Sequence, residues 1–139
     1  DAIDRRGAEL FETLDLRPGH RTLVTDYSFG MKKKLALCAA LIHGPRVLFL
    51  DEPSAGLDPI TSAGLDRLIL DLRRDLGIAF VVVTHELASI LAIADRCIML
   101  DRNAYPDGGG KIAEGNPRTL RETSTHRMVR SFFRREIPA

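Results

Sequence analysis

An α/β fold, with parallel strands and helices packed on the sheet, is what the sequence predicts, and three observations predict it. Apolar residues recur at helical spacing in some segments and fill short continuous runs in others, the two kinds alternate, and the links between them are short. The order strand, helix, strand, helix, strand implies parallel strands joined by right-handed crossovers. Ligands then belong at the carboxyl ends of the strands. A length of 139 residues suits one domain, and 45% hydrophobic with 28% charged residues argues against disorder.

Ile3, Leu10, Phe11 and Leu14 form a first helical stripe, ended by a polar break from Arg17 to Thr22 that holds Pro18, Gly19 and His20. From Ser28 a second helix carries Met31, Leu35, Cys38 and Ile42 on one side and stops at His43-Gly44-Pro45. Val47 to Leu50 is fully apolar and reads as a strand buried on both faces, ending in Asp51-Glu52-Pro53. Asp58 is a natural N-cap and Pro59 a natural first helical residue. They precede a stripe of Leu65, Leu68, Ile69, Leu72 and Leu76 that Gly77 terminates. Ile78 to Val83 is a β-branched strand, Glu86 to Ala94 a helix with Leu87, Ile90, Leu91 and Ala94 on one side, and Cys97 to Leu100 a third strand. Asp107 to Lys111 reads as a turn into a short edge strand, Ile112 to Glu114, and a last helix runs from about Thr125 to Arg135.

Twenty Lys plus Arg against 19 Asp plus Glu leave no general electrostatic reason to expect a nucleic-acid partner. The longest apolar run, Leu35 to Ile42, is far short of the roughly 20 residues that cross a bilayer. Two cysteines, Cys38 and Cys97, are too few for a disulfide framework; both lie in apolar runs as small core residues, and a reducing setting is expected.

Three junctions carry unusual polar residues. Asp51-Glu52 follows a strand, where one carboxylate suits hydrated Mg²⁺ and the next an attacking water; the plainer reading is an acidic strand end. His85 follows the strand that ends in Val83, where an imidazole can donate to a terminal phosphate or simply open a helix. Ser28-Phe29-Gly30-Met31 opens a helix whose free N–H groups suit phosphate oxygens, or is an ordinary capped helix. His43 and His126 read as helix-end and surface residues. Lys32 to Lys34 is a basic run that suits a nucleotide or an anionic lipid, or, as is more common for so short a run, a solvated helix face.

In this order and spacing the sequence resembles the ATP-binding-cassette (ABC) ATPases of membrane transporters. Ser28-Phe29-Gly30-Met31-Lys32 is similar to the family signature, Val47 to Pro53 to its Walker B strand, Ser54 to Pro59 to its D-loop, and Thr84-His85-Glu86 to its H-loop. The resemblance runs from Asp1 to about Gly115. It implies a partial P-loop NTPase core with ATP and Mg²⁺ as cofactors. Asp51 would serve the metal, Glu52 would act as base or water-positioning residue, and His85 would sense the γ-phosphate. Ser28, Phe29, Gly30 and Met31 would meet nucleotide held by a second ATPase subunit, and Asp58 would face the same interface. Phe29 departs from the family's more common glycine, which puts the local geometry of the signature in question.

A phosphate-cradling GxxxxGK[ST] loop is absent from the 139 residues, since Tyr105 stands where the first glycine before Gly110-Lys111 would be and Ile112 follows the lysine. The expectation is therefore the C-terminal part of a longer ATPase, its Walker A half missing, that does not hydrolyse ATP alone. By the resemblance, residues 1–27 are the tail of a helical subdomain, 28–115 the signature helix and catalytic core, and 116–139 a C-terminal helical extension. The ending Arg127 to Phe133 is similar to Mla- and Mce-type phospholipid transport ATPases. The implied partners are a second copy and transmembrane permease subunits, at the inner face of the cell membrane. An ABC-2 type exporter, a soluble ABC ATPase and an inactive interaction module are the other readings.

Overall fold

The computed structural model describes residues 2–16, 23–106 and 108–137. The polar break from Arg17 to Thr22, with His20, and Asp107 of the expected turn lie outside the described residues. The chain divides into two compact units, residues 1–84 and 85–139.

In the first unit, α1 (Ala2–Thr13) and a 3₁₀ turn (Val24–Asp26) precede α2 (Phe29–Leu41), β1 (Val47–Asp51), α3 (Pro59–Leu76) and β2 (Ala79–Val83). Its core gathers Leu10, Leu14 and Leu16, Tyr27, Leu37, Cys38 and Leu41 of α2, Leu72 of α3, and Ile78. Met31, Leu35 and Ile42 pack against that core, so the stripe expected for α2 does face inward. Ile3, expected on the buried side of α1, is exposed instead. Leu41 and Leu72 are fully buried, each worth about 1.5–3 kcal/mol in area removed from water.

Helix α3 has the ends its sequence asks for. Asp58 Oδ1 accepts from the N–H groups of Ile60 and Thr61, both at 3.0 Å, and Pro59 fills a position whose N–H would have no helical partner. Gly77 closes the helix in the left-handed region at φ +64° and donates to the Arg73 carbonyl.

Strands β1 and β2 pair in parallel, Val47 beside Ala79 and Asp51 beside Val83, as the alternation of elements predicts. Burial on both faces does not hold. Leu48 and Leu50 turn to the core with Phe80, while Val47, Phe49, Val81 and Val83 stand on the other face, Phe49 with 74% of its surface exposed. A four-residue apolar run reads as buried whichever side lacks cover, so the one-sided exposure is invisible in its pattern.

The second unit contains α4 (Leu87–Ile93), β3 (Cys97–Tyr105), β4 (Gly108–Gly115), α5 (Pro117–Thr123) and α6 (Arg127–Arg134). The third strand does not extend the parallel ladder: β3 is longer than expected and pairs antiparallel with β4, Cys97 opposite Gly115, in a separate two-stranded sheet. Strand β4 likewise starts well before Ile112. Glu114 on β4 pairs with Arg96 and Lys111, which hold its carboxyl below the usual carboxylate range. Helix α5 was not expected, although Asn116-Pro117 repeats the cap chemistry of Asp58-Pro59: Asn116 Oδ1 accepts from Arg118 at 2.9 Å and Thr119 at 3.3 Å. Helix α6 starts at Arg127 rather than Thr125 and buries Val129 and Phe133, with Phe132 edge-on to Phe133 at 5.5 Å.

Candidate functional site

The carboxyl ends of β1 and β2 lie level, because the parallel register sets Asp51 beside Val83. Asp51 is exposed at that end. One carboxylate in the open suits Mg²⁺, which keeps most of its water and takes one or two protein oxygens alongside phosphate. No cluster of three acidic, His or Cys residues that could hold a metal ion occurs among the described residues.

Glu52 is held at four points. Its N–H donates to the Val83 carbonyl at 2.8 Å, continuing the ladder one residue past the strand. Its carbonyl accepts from the Ala55 N–H at 3.1 Å and from Lys33 Nζ at 3.2 Å. Its carboxylate accepts from Thr84 Oγ1 at 3.2 Å. The backbone of Glu52 is left-handed, φ +44°, a conformation that costs a side-chain-bearing residue about 1–2 kcal/mol. Strain of that kind persists where the surroundings over-determine it, and such places cluster at functional sites.

The turn that follows carries Ser54, 5% exposed, whose hydroxyl has no hydrogen-bond partner among the described residues, and Gly56 at φ +78°. Across from it the first turn of α2 begins at Ser28, whose Oγ accepts from the Met31 N–H at 3.2 Å. Phe29 takes a helical position, and its ring lies against Gly56, where an added Cβ would stand 3.1 Å from Phe29 Cε1. Lys33 Nζ sits 5.3 Å from the centre of the same ring. Gly30 faces Thr61 on α3, and Met31 turns to the core. Asp58 also accepts from the Thr61 hydroxyl, and this bond above all holds its carboxyl below the usual range.

The structure thus brings Phe29, Gly30, Glu52, Gly56 and Asp58 together within the first unit. Thr84 closes that unit, and His85, the next residue, opens the second. His85 is exposed and lines a shallow cavity of about 390 Å³ with Leu87 and, from α6, Met128 and Phe132. Sequence reasoning gave Thr84 no role beyond its place in the H-loop resemblance, and read Lys33 only as part of a basic run, solvated or turned to a nucleotide or anionic lipid. A lysine four positions after Phe29, one helical turn on, was the available signal.

A parallel αβ core carries the acidic pair Asp51-Glu52 at the end of β1. The family described as "AAA domain, putative AbiEii toxin, Type IV TA system" matches residues 5–92. A methionine import ATP-binding protein, MetN, of Xanthomonas oryzae pv. oryzae is 34% identical over 117 residues, covering 84% of this chain and 33% of that protein. The energy-coupling factor transporter ATP-binding protein EcfA2 of Clostridium perfringens is 34% identical over 120 residues, covering 86% of this chain and 37% of that protein. Among solved structures, CbiO1 of Clostridium perfringens, described as part of the ABC transporter complex CbiONQ, superposes with a TM-score of 0.72 at 26% identity, over 84% of this chain and 44% of that one. The chain belongs to this AAA-domain family and is similar to ATP-binding subunits of ABC transporters. It spans about a third of the length of the curated relatives it matches.

Proposed function

We propose that the chain supplies the signature, Walker B, D-loop and H-loop portion of an ATPase subunit that couples ATP hydrolysis to transport across a membrane. The observation that carries this reading is Glu52, held left-handed at the shared end of β1 and β2 with its carboxylate on Thr84. Asp51 would hold Mg²⁺, which supplies charge neutralisation at the terminal phosphates, and Glu52 would orient the attacking water. His85 follows Thr84 in the chain and would donate to the γ-phosphate. Ser28, Phe29, Gly30 and Met31, with Asp58, would face nucleotide held by a second copy. Residues 1–27, 28–115 and 116–139 would serve as helical-subdomain tail, catalytic core and C-terminal extension.

The partners proposed are a second ATPase subunit and transmembrane permeases, on the cytoplasmic side of the membrane. No helix among the described residues is long and apolar enough to cross a bilayer, which is consistent with a peripheral subunit. For cargo, the relatives carry names of methionine import and energy-coupling factor transport. They give no support to the phospholipid cargo expected from the tail, and import of a small solute is the reading they favour.

The 139 residues contain no GxxxxGK[ST] loop, so the phosphates lack their main anchor in this chain. The test is Mg²⁺-dependent ATPase activity of the chain alone and joined to a segment that carries such a loop. Turnover is expected only in the joined form, and Glu52→Gln should abolish it. Substantial turnover by the chain alone overturns the incomplete-site reading; a joined form that folds and binds ATP but never hydrolyses it overturns the ATPase role.

A further inference from the structure

We propose that Lys33 is a positioning residue for Glu52: its ammonium holds the Glu52 carbonyl, and so the left-handed backbone from which the carboxylate reaches Thr84, while the Phe29 ring braces that ammonium. The inference rests on the reading of Glu52 as the water-orienting residue, and goes beyond it by assigning what keeps Glu52 in place.

Two contacts converge on one half-buried lysine, and a third continues from its aromatic neighbour. Nζ donates to the Glu52 carbonyl at 3.2 Å, the same oxygen that accepts from Ala55. It also lies 5.3 Å from the centre of the Phe29 ring, inside the range where an aromatic face attracts a cation. The ring in turn rests on Gly56, four residues beyond Glu52. A carbonyl with two donors is held more firmly than one with a single donor, and the second donor here comes from a different element. Without Lys33 the Glu52 carbonyl keeps only its local donor, the Ala55 N–H, and loses the hydrogen bond by which α2 opposes relaxation of the positive φ. Phe29 therefore has a task that glycine lacks: it ties the first turn of α2 to both ends of that turn. A shift in the signature helix would be felt at Glu52 through a single side chain.

The test uses the 139-residue chain labelled with ¹³C and ¹⁵N. In the wild-type protein at low temperature, Lys33 Hζ should show nuclear Overhauser contacts to the Phe29 ring; their absence overturns the proposal without any variant being made. Lys33→Met should move the Glu52 carbonyl carbon upfield, as loss of a donor does, and Lys33→Arg should restore most of it, with Leu72 and Cys38 resonances unchanged throughout. A Glu52 carbonyl that does not respond to Lys33→Met also overturns the proposal. In the joined ATPase, Lys33→Met should lower kcat about 10- to 100-fold with KM for ATP unchanged, as misplacement of a reacting group does, and Lys33→Arg should recover it. A full-rate Lys33→Met enzyme sinks the positioning role. Should Glu52→Gln prove fully active, the reading of Glu52 fails while the link to Lys33 still stands or falls on the carbonyl shift.

Discussion

The ring of Phe29 lies so close over Gly56 that a Cβ on Gly56 would sit 3.1 Å from Phe29 Cε1, and Gly56 itself has φ +78°. Two separate costs therefore attach to any side chain at position 56. Gly56→Ala should destabilise the chain by about 1–3 kcal/mol, part from the positive φ and part from the clash. Phe29→Leu in the same chain should recover the steric part and leave the backbone part. Urea unfolding of the two single variants and the double variant measures the coupling, and strict additivity would show that the ring does not rest on residue 56.

Glu52 invites a comparison that isolates backbone strain. Glu52→Ala and Glu52→Gly both lose the bond to Thr84, so the two differ in the backbone alone. At φ +44° glycine is at ease and alanine is not. Glu52→Gly should be the more stable of the two by about 1 kcal/mol, the reverse of the order seen inside a helix or strand. Denaturant midpoints decide it, and an alanine variant as stable as the glycine one would mean that position 52 relaxes freely.

Ser54 carries the opposite sign. Its hydroxyl is buried with no partner among the described residues, and an unsatisfied buried polar group costs about 1–3 kcal/mol. Ser54→Ala removes the hydroxyl and little volume, so thermal unfolding should shift upward. A drop in Tm would reveal a partner for Ser54 Oγ.

Local chemistry was legible and non-local pairing was not. Helix α3 could be drawn to the residue because Asp58, Pro59 and Gly77 each act on their own neighbours. Helix α5 carries the same signal in Asn116-Pro117, and the stripe that would have completed it is only Leu120, so a seven-residue helix passed for a loop. Strand β3 and part of β4 were found, but their antiparallel pairing in a sheet of their own was not, since an apolar run does not say which strand it joins. At the site, the acidic pair and Ser28 stood out by residue type. The left-handed Glu52 and the Lys33 bridge did not, because a glutamate signals nothing about φ and the bridge spans 19 residues of sequence.

The face of β1 and β2 that turns from the core carries Val47, Phe49, Val81 and Val83, all exposed. A continuous apolar patch on a free surface binds hydrophobic dyes. Phe49→Ser should lower ANS fluorescence of the chain while moving its unfolding free energy by less than about 0.5 kcal/mol, since little burial is lost. Unchanged fluorescence would place the dye elsewhere.

Asp58 gives the chain a pH dependence whose sign follows from its bonds. The Thr61 hydroxyl and the Thr61 and Ile60 N–H groups favour the charged carboxylate, so its folded pKa lies below the unfolded one. A group lowered in this way contributes stability that is fully present above the unfolded value, near 4, and is lost as pH falls through the folded value. Asp58→Asn keeps an oxygen to cap α3 but cannot carry the charge. Wild type should therefore exceed Asp58→Asn in Tm between pH 5 and 7, and the gap should close on acidification below about pH 4. Asp58→Ala, which loses the cap as well, should lie below both at neutral pH. Melting curves of the three chains across that range decide the matter, and a gap between wild type and Asp58→Asn that does not narrow as the pH falls below about 4 would mean that the charge on Asp58 is not what its partners recognise.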